Sequence, residues 1–222
     1  MRLTYCASFA LCLALASQAF AARCVMRGHC SHNEDVDKDI PCKVDEEPQA
    51  LSDKQLFEEV CPDLAATTDV TCCDVEQLQA LKKDLQQAID VGMKRYPSCL
   101  RNFRNIFCQL LCSPKQSEFV KVVDSKDTDQ DTQYVTKVVY AISEQFSKGV
   151  YDSCKNVKAY RVLNLMTVLC GWWCDPVKFF TVLGSTASEG GHSPYKVEPE
   201  ITTDATIHVA GTELRPLNVD VV

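Results

Sequence analysis

Histidines and cysteines are the side chains of this 222-residue chain that are best suited to catalysis or metal binding. None of the four histidines belongs to an H-E-x-x-H zinc motif, and no serine lies in a G-x-S-x-G nucleophile elbow. Secreted phospholipases carry paired cysteines followed closely by a catalytic histidine, whereas Cys72-Cys73 is followed here by Asp74, Val75 and Glu76. The sequence therefore predicts a protein that is not an enzyme.

Fourteen cysteines are more than a cytosolic protein usually carries unless it binds metal. Cys170 with Cys174, and Cys30 between His29 and His32, are spaced closely enough to be zinc ligands. Paired C-x2-C knuckles are absent from the sequence, which favours disulfides over the zinc alternative. We expect disulfides, no metal and no other cofactor.

The amino terminus predicts an oxidising compartment. Residues 3–19 are apolar or small, and Ala19-Phe20-Ala21 supplies an A-x-A cleavage site, as in a secretory signal peptide over residues 1–21. The alternative is a transmembrane anchor, which is disfavoured because the stretch is short and rich in Ala and Ser. Removing this segment removes two cysteines and leaves twelve, an even number that fits six disulfides.

The composition predicts one secreted or luminal globular domain over residues 22–222. Hydrophobic residues make up 46% of the chain and charged residues 24%, which is ordinary for such a domain. The formal net charge of −7 argues against nucleic-acid binding, which needs a basic surface. We expect a monomer.

Hydrophobic spacing predicts an α+β fold, with helices first and a small sheet later. Ser52 with Gln55, and Asp74 with Gln77, form capping-box patterns at two helix starts. The second helix places apolar residues at steps of three and four, and a third opens at Pro97. Further helices are predicted over residues 143–154, before Cys170 and after Pro176. Residues 22–47 are predicted to be a disulfide-stapled loop region, residues 119–123 and 132–140 a hairpin, and residues 195–209 strands.

An ordered set of motifs covers most of the chain after residue 21. Together these motifs resemble the N-terminal luminal domain of the Niemann-Pick type C family, in its large multi-span membrane branch. The motifs are Cys24-Val25 with Gly28 and Cys30, Cys42, Val60-Cys61-Pro62, Cys72-Cys73-Asp74-Val75 with Gln77-Leu78-Gln79, Pro97-Ser98-Cys99, Phe107-Cys108, Cys112-Ser113-Pro114, Gln116-Ser117, Cys154, Leu169-Cys170-Gly171, Cys174 and Pro194-Tyr195.

The resemblance implies helices packed on a small mixed β-sheet, with one sterol held in a deep pocket between them. It also implies a disulfide pairing that uses all twelve remaining cysteines. The implied pairs are Cys24–Cys72, Cys30–Cys42, Cys61–Cys108, Cys73–Cys112, Cys99–Cys154 and Cys170–Cys174.

Pocket residues follow from the resemblance position by position. The family recognises the sterol 3β-hydroxyl with an Asn and a Gln, and the Gln corresponds to Gln77; the residues alone favour a capping role for that side chain. The Asn position is Pro41, which offers no side-chain hydrogen bond and no backbone N–H. Met26 stands where the family has an aromatic residue, and His29 stands where it has an acidic one. These three departures put head-group specificity in question.

The resemblance places Val168 and Leu169 at the pocket mouth, next to the adjacent tryptophans Trp172 and Trp173. Two adjacent indoles suit a membrane interface or a partner protein, and the alternative is that one of them packs on Phe179 or Phe180. Further wall candidates have plain core packing as their alternative. These candidates are Leu78, Leu81, Phe103, Phe107, Tyr195 and Val197.

The sequence therefore predicts a secreted or endolysosomal domain that binds a sterol or a similar rigid hydrophobe. Transfer by transient contact with a lipid-transfer partner protein or a membrane surface is expected. The alternatives are an interaction module with a collapsed pocket, and a carrier of a non-sterol hydrophobic ligand. A vitamin carrier of similar fold is a more distant alternative.

Overall fold

A computed structural model describes residues 22–222, so the predicted signal segment 1–21 lies outside the described residues. The strands are β1 (Cys24–Asn33), β2 (Lys38–Glu46), β3 (Gln49–Ala50), β4 (Val70–Thr71), β5 (Val120–Asp127), β6 (Gln133–Ser143), β7 (Lys158–Ala159), β8 (Leu163–Asn164), β9 (Lys196–Thr202), β10 (Ile207–Val209) and β11 (Thr212–Leu214). The helices are α1 (Lys54–Val60), α2 (Pro62–Ala65), α3 (Val75–Asp90), α4 (Pro97–Cys112), α5 (Gln116–Phe119), α6 (Glu144–Cys154), α7 (Leu165–Cys170) and α8 (Pro176–Leu183). This is the α+β architecture that the sequence predicts.

The main sheet has five strands and is built around β6. One edge of β6 pairs with β5 in an antiparallel hairpin. The other edge meets β2 at the Cys42–Tyr134 pair and then runs parallel to β9 from Lys137 to Ser143. The sheet is therefore mixed, as predicted, and β2 and β9 share one edge of its central strand.

The prediction of a loop region over residues 22–47 is wrong. Residues 24–46 form the antiparallel hairpin β1–β2, with register shifts between Cys24 and Met26 and between Arg27 and Ser31. Polar side chains cover the solvent face of the hairpin, and the shifts break the strict alternation by which strands are predicted. The Cys30–Cys42 disulfide fixes the two strands across the second irregularity.

The helix starts follow from capping side chains. Asp74 Oδ1 accepts from the Gln77 N–H at 2.8 Å, and the predicted capping box of α3 is present. The predicted cap at Ser52 is wrong by one residue, because Asp53 Oδ1 accepts from the Leu56 N–H at 2.9 Å and begins α1. Three further helices begin at a side chain that accepts a backbone N–H. These are α6 at Ser143, α7 at Asn164 and α8 at Asp175.

The core lies between the helices and β6. The run from Val138 to Ile142 in β6 is buried on both faces of the sheet. The Tyr140 hydroxyl donates to the Ile106 carbonyl at 3.1 Å and joins β6 to α4. At the other side of the core, the end of α8 approaches β9 so closely that a Cβ on Gly184 would lie 1.9 Å from the Val197 carbonyl oxygen. Only glycine fits that position without a backbone shift.

Six disulfides staple the fold, and their pairs are those that the family resemblance implies. Three of them converge on α4. Cys99 joins it to α6, Cys108 joins it to the end of α1, and Cys112 joins it to the start of α3. Within residues 22–222, no helix has the length and apolar character needed to cross a bilayer.

Candidate functional site

The amino end of α3 carries the polar side chain predicted for the pocket. Gln77 Oε1 accepts from the backbone N–H groups of Asp74 at 3.1 Å and Gly28 at 2.9 Å. Two backbone donors fix which amide atom is the oxygen, so Nε2 faces away from them. No acceptor for this Nε2 donor is found among residues 22–222. Gln77 therefore fulfils the capping role and still has a donor to offer.

The approach of β1 to Gln77 depends on one glycine. Gly28 has a φ of +70°, a left-handed conformation that is strained for other residues. It lies in the irregular part of β1, where the strand leaves its regular pairing with β2. This conformation turns the Gly28 N–H toward Gln77 instead of toward a neighbouring strand.

A buried glutamine, which the sequence analysis names in the Gln116-Ser117 motif without assigning it a role, positions the start of β1. Gln116 Oε1 accepts from the N–H groups of Val25 at 2.7 Å and Met26 at 2.9 Å. Its Nε2 donates to the carbonyls of Leu110 at 2.8 Å and Leu111 at 3.3 Å, at the end of α4. No sequence pattern identifies this role, because a polar residue just after a Ser-Pro helix stop resembles a surface loop.

Most of the predicted wall residues belong to the hydrophobic cluster that forms the single core of the described residues, so their burial does not by itself mark a pocket. Phe103 and Phe107 contact each other edge to face, with ring centroids 5.1 Å apart. The buried members of the cluster include Met26, Leu78, Leu81, Phe103, Tyr195 and Val197, whereas Phe107 and Leu169 are partly buried and pack against it. Burial raises the pKa of the Tyr195 phenol well above its ordinary value of 10.0, so this hydroxyl stays neutral. No hydrogen-bond partner for the Tyr195 hydroxyl is found among residues 22–222.

The positions that depart from the family pattern are divided between interior and surface. Pro41 is buried in β2, beside the buried Ile40. His29 is exposed, and its Nδ1 lies 3.0 Å from the Asp39 carboxylate. His29 thus faces the turn of the hairpin rather than the hydrophobic cluster.

Of the predicted mouth residues, Val168, Trp172 and Trp173 lie outside the core, whereas Leu169 packs against it. Val168 is half exposed, and both Trp172 and Trp173 are 88% exposed. The alternative in which an indole packs on Phe179 or Phe180 is therefore wrong. Those two phenylalanines are buried and contact each other edge to face at 5.5 Å.

None of the predicted wall residues lines either of two clefts that open on the surface. One, of about 610 Å³, lies between the β1–β2 and β5–β6 hairpins and is lined by Gly28, Asp74 and mainly polar or charged neighbours. The other, of about 480 Å³, is lined by Glu144, Thr202, Asp204 and their neighbours. The deep pocket of the family stays a prediction for this chain.

Comparison with known proteins gives the relationship directly. The family model described as Niemann-Pick C1 N terminus matches residues 21–222. This chain belongs to that family. It is 30% identical over 202 residues to the NPC intracellular cholesterol transporter 1 of Sus scrofa, an alignment covering 86% of this chain and 15% of the relative. The six disulfides of the structure are therefore those of a member of this family.

Two other relatives give the same relationship. The NPC intracellular cholesterol transporter 1 homolog 1 of Caenorhabditis elegans is 32% identical over 154 residues, covering 61% of this chain and 11% of the relative. The NPC1-like intracellular cholesterol transporter 1 of Homo sapiens is 28% identical over 177 residues, covering 73% and 12%. All three are named as transporters rather than enzymes. This chain spans less than one-sixth of the length of each.

Proposed function

We propose that this chain binds a sterol, or a rigid hydrophobe of similar shape, in a pocket between α3 and β9. The observation that carries the proposal is the Gln77 amide. Its oxygen is held by two backbone N–H groups, and its nitrogen remains available to donate to a ligand oxygen. Membership in a family whose relatives are named cholesterol transporters supports the choice of ligand class.

The energetics allow such a ligand to bind even though Pro41 replaces a family hydrogen-bonding residue. A rigid apolar ligand that buries roughly 400 Å² gains at most about 10 kcal/mol at ~25 cal/mol/Å², before the cost of association. A missing hydrogen bond to the hydroxyl costs about 0.5–1.5 kcal/mol. We therefore expect Pro41 to weaken the recognition of the head group without abolishing ligand binding.

The role that follows is the holding and transfer of a lipid in an oxidising compartment. Six disulfides support a secreted or endolysosomal location, because reducing compartments do not sustain such bonds. Transfer requires transient contact with a membrane or with a lipid-transfer protein, and the exposed Val168 lies next to the Leu169 edge of the cluster.

A second candidate function is an interaction module that works through its surface. Met26 and Leu78 are completely buried, and the two clefts described above lie away from the predicted wall. If this alternative is correct, the hydrophobic cluster is a permanently packed core that holds no ligand. Carriage of a non-sterol hydrophobic ligand, such as a fatty acid or a carotenoid, is distinguished from both by a ligand panel.

The substitution Gln77→Glu tests the role of the amide nitrogen. A glutamate keeps an oxygen for the Asp74 and Gly28 N–H groups and remains a capping-box residue, but it removes the donor. We expect binding of a sterol ketone, which can only accept, to be lost to a greater extent than binding of the matching 3β-hydroxysterol. Gln79→Glu, an exposed position two residues further along α3, is the control for charge.

The measurement is saturable binding of sterols, sterol ketones, fatty acids and carotenoids to the oxidised protein. Equal loss of the ketone and the hydroxysterol in Gln77→Glu would contradict the proposed contact. Saturable binding of only fatty acids or carotenoids would replace the sterol with another ligand. Absence of saturable binding across the panel would favour the interaction module.

A further inference from the structure

The tryptophan loop, Gly171–Asp175, places the largest apolar side chains of the described surface in water. Trp172 and Trp173 are each 88% exposed. Val168 before the loop and Val177 after it are half exposed or more. A contiguous group of exposed apolar side chains on a protein surface commonly marks a binding site for a protein or a membrane.

The loop exposes its indoles because its backbone is held in place. The Cys170–Cys174 disulfide closes it, and the Tyr151 hydroxyl donates to the Cys174 carbonyl at 2.7 Å. The Gly171 N–H donates to the Thr167 carbonyl at 3.0 Å. The two indoles are thus presented on an anchored base, so little backbone order has to be gained when they bind a surface.

A second exposed apolar group precedes α7. The turn between β7 and β8 leaves Tyr160, Val162 and Leu163 each more than half exposed. Tyr160 and Arg161 both have positive φ angles, and the Val162 N–H donates to the Ala159 carbonyl at 3.2 Å, so the turn is tight. The six residues of α7 separate this turn from the tryptophan loop by about 9 Å at ~1.5 Å per residue.

Basic residues lie beside each of the two groups. Between residues 152 and 178 the chain has four basic and two acidic residues, of which Lys155 and Asp152 form an ion pair, whereas the whole chain has a net charge of −7. The Lys178 ammonium nitrogen lies 3.8 Å from the position that a Cβ on Gly171 would occupy, beside the tryptophan loop. Lys158 and Arg161 belong to the β7–β8 hairpin. The exposed apolar surface therefore has positively charged side chains beside it, although the net charge of the protein is negative.

We propose that the tryptophan loop and the β7–β8 turn form one patch that binds the surface of an anionic lipid bilayer. Indoles are enriched at the head-group level of membranes, where the ring is both apolar and hydrogen-bonding. Basic residues beside them are attracted to anionic head groups. A second copy of the chain is a poorer occupant, because a two-fold contact would bring two basic patches together. The proposal holds whichever ligand occupies the interior.

The intrinsic tryptophan fluorescence of the protein reports on this contact, because Trp172 and Trp173 are its two tryptophans. The oxidised protein is mixed with vesicles of phosphatidylcholine alone or of phosphatidylcholine with phosphatidylserine. We expect the tryptophan emission to shift to shorter wavelength on the anionic vesicles and to be quenched by lipids brominated near the head group. We also expect added salt to weaken the binding.

Variants separate the contributions of the rings and the charges, with vesicle flotation as the assay. Replacing both tryptophans with alanine should reduce binding by at least about tenfold, which corresponds to ~1.4 kcal/mol, and replacing both with phenylalanine should reduce it less. Lys158→Glu with Lys178→Glu should weaken binding to the anionic vesicles alone. Lys83→Glu with Lys126→Glu, two exposed lysines on α3 and β5, is the matched control and should leave binding unchanged.

Three kinds of result would overturn the proposal, and the second of them can appear in either of two measurements. One is an unchanged tryptophan emission at saturating anionic lipid. Another is equal binding to neutral and anionic vesicles, or equal weakening by the two lysine pairs. The third is sedimentation as a dimer without lipid that the double alanine variant abolishes, since the patch would then be a contact between copies. Circular dichroism of each variant shows that a loss of binding is not a loss of fold.

Discussion

The amino end of α3 and the tryptophan loop differ in the environment of their side chains. Near Gln77, polar groups lie at the margin of the core, and the amide oxygen is bonded to two backbone N–H groups. At the tryptophan loop, two large apolar rings are left in water on a backbone held by a disulfide and a tyrosine hydroxyl. The first arrangement satisfies backbone N–H groups at a helix start, whereas the second buries little apolar surface. This difference is the one that the proposed membrane contact would explain.

The largest effect should come from the interior. Leu78→Ala removes a side chain that is completely buried beside Gln77, and we expect it to lower the free energy of unfolding by about 2–5 kcal/mol because a cavity replaces its contacts. Urea unfolding of the oxidised protein measures the change. Gln79→Ala, exposed on the next position, should change stability by less than about 0.5 kcal/mol. Equal effects at the two positions would show that the cluster around Leu78 is not packed as a core.

A smaller loss should follow when the buried polar support of β1 is removed. Gln116→Met has a similar length but no hydrogen bonds, so the Val25 and Met26 N–H groups lose their acceptor. We expect the free energy of unfolding to fall by about 1–3 kcal/mol. The urea midpoint and the hydrogen exchange of the two amides measure this. The exposed neighbour Lys115→Met is the control, and unchanged exchange at both amides in Gln116→Met would contradict the role assigned to Gln116.

Substitutions in the tryptophan loop should change the stability of the fold far less than substitutions in the interior. Changing Trp172 and Trp173 together to alanine removes two large side chains, but each is 88% exposed and buries little surface. We expect the free energy of unfolding to change by no more than about 0.5 kcal/mol. Urea unfolding followed by circular dichroism measures it. A loss comparable with that of Leu78→Ala would end the contrast between the two regions.

The smallest effect is expected for His32 and Asp39, which form a solvent-exposed hydrogen bond at the β1–β2 turn. The hydrogen bond to Asp39, at 2.8 Å, raises the pKa of His32 above its ordinary value of 6.5. The same bond lowers the pKa of Asp39 below 3.8. The histidine contribution is complete below pH 6.5 and is lost as pH rises through the raised value. The aspartate contribution is present above pH 3.8 and is lost as pH falls, so the pair stabilises the turn most between those limits.

Asp39→Asn should therefore lower the pKa of His32, as measured by NMR titration of its ring. Asp37→Asn should lower it less, because the Asp37 carboxylate lies farther away, at 3.3 Å from Nε2, and exerts the weaker influence. His208, on the β10–β11 hairpin, provides an internal reference signal. A larger shift in Asp37→Asn than in Asp39→Asn would contradict the pairing.

The sequence predicts the helical part of the fold well because the local signals agree there. Asp74 with Gln77 and the apolar spacing after them indicate α3, and Pro97 marks the start of α4. The hairpin over residues 24–46 was not predicted, since its polar outer face and its two register shifts hide the period of two. Its strands are specified by distant contacts, among them the Cys24–Cys72 disulfide and the Gln116 amide.

The candidate site was predictable only in part. The capping pattern identifies Gln77, but the Gly28 N–H that shares its oxygen comes from a strand 49 residues away. The position of Gln116 between β1 and α4 is likewise set by tertiary contacts that no local pattern encodes. The exposure of Trp172 and Trp173 follows from the short step between Cys170 and Cys174, which leaves too little chain to fold both rings inward.

The three disulfides that join α4 to other elements also restrict the chain after it has unfolded. The loops that these bonds close span 47, 39 and 55 residues. In the oxidised denatured ensemble, the segments from Cys61 to Cys154 would remain tethered to the α4 sequence and would expose less new surface to solvent. The dependence of the free energy of unfolding on urea concentration should then be shallower than the length of the chain suggests, because that slope measures the surface that unfolding exposes.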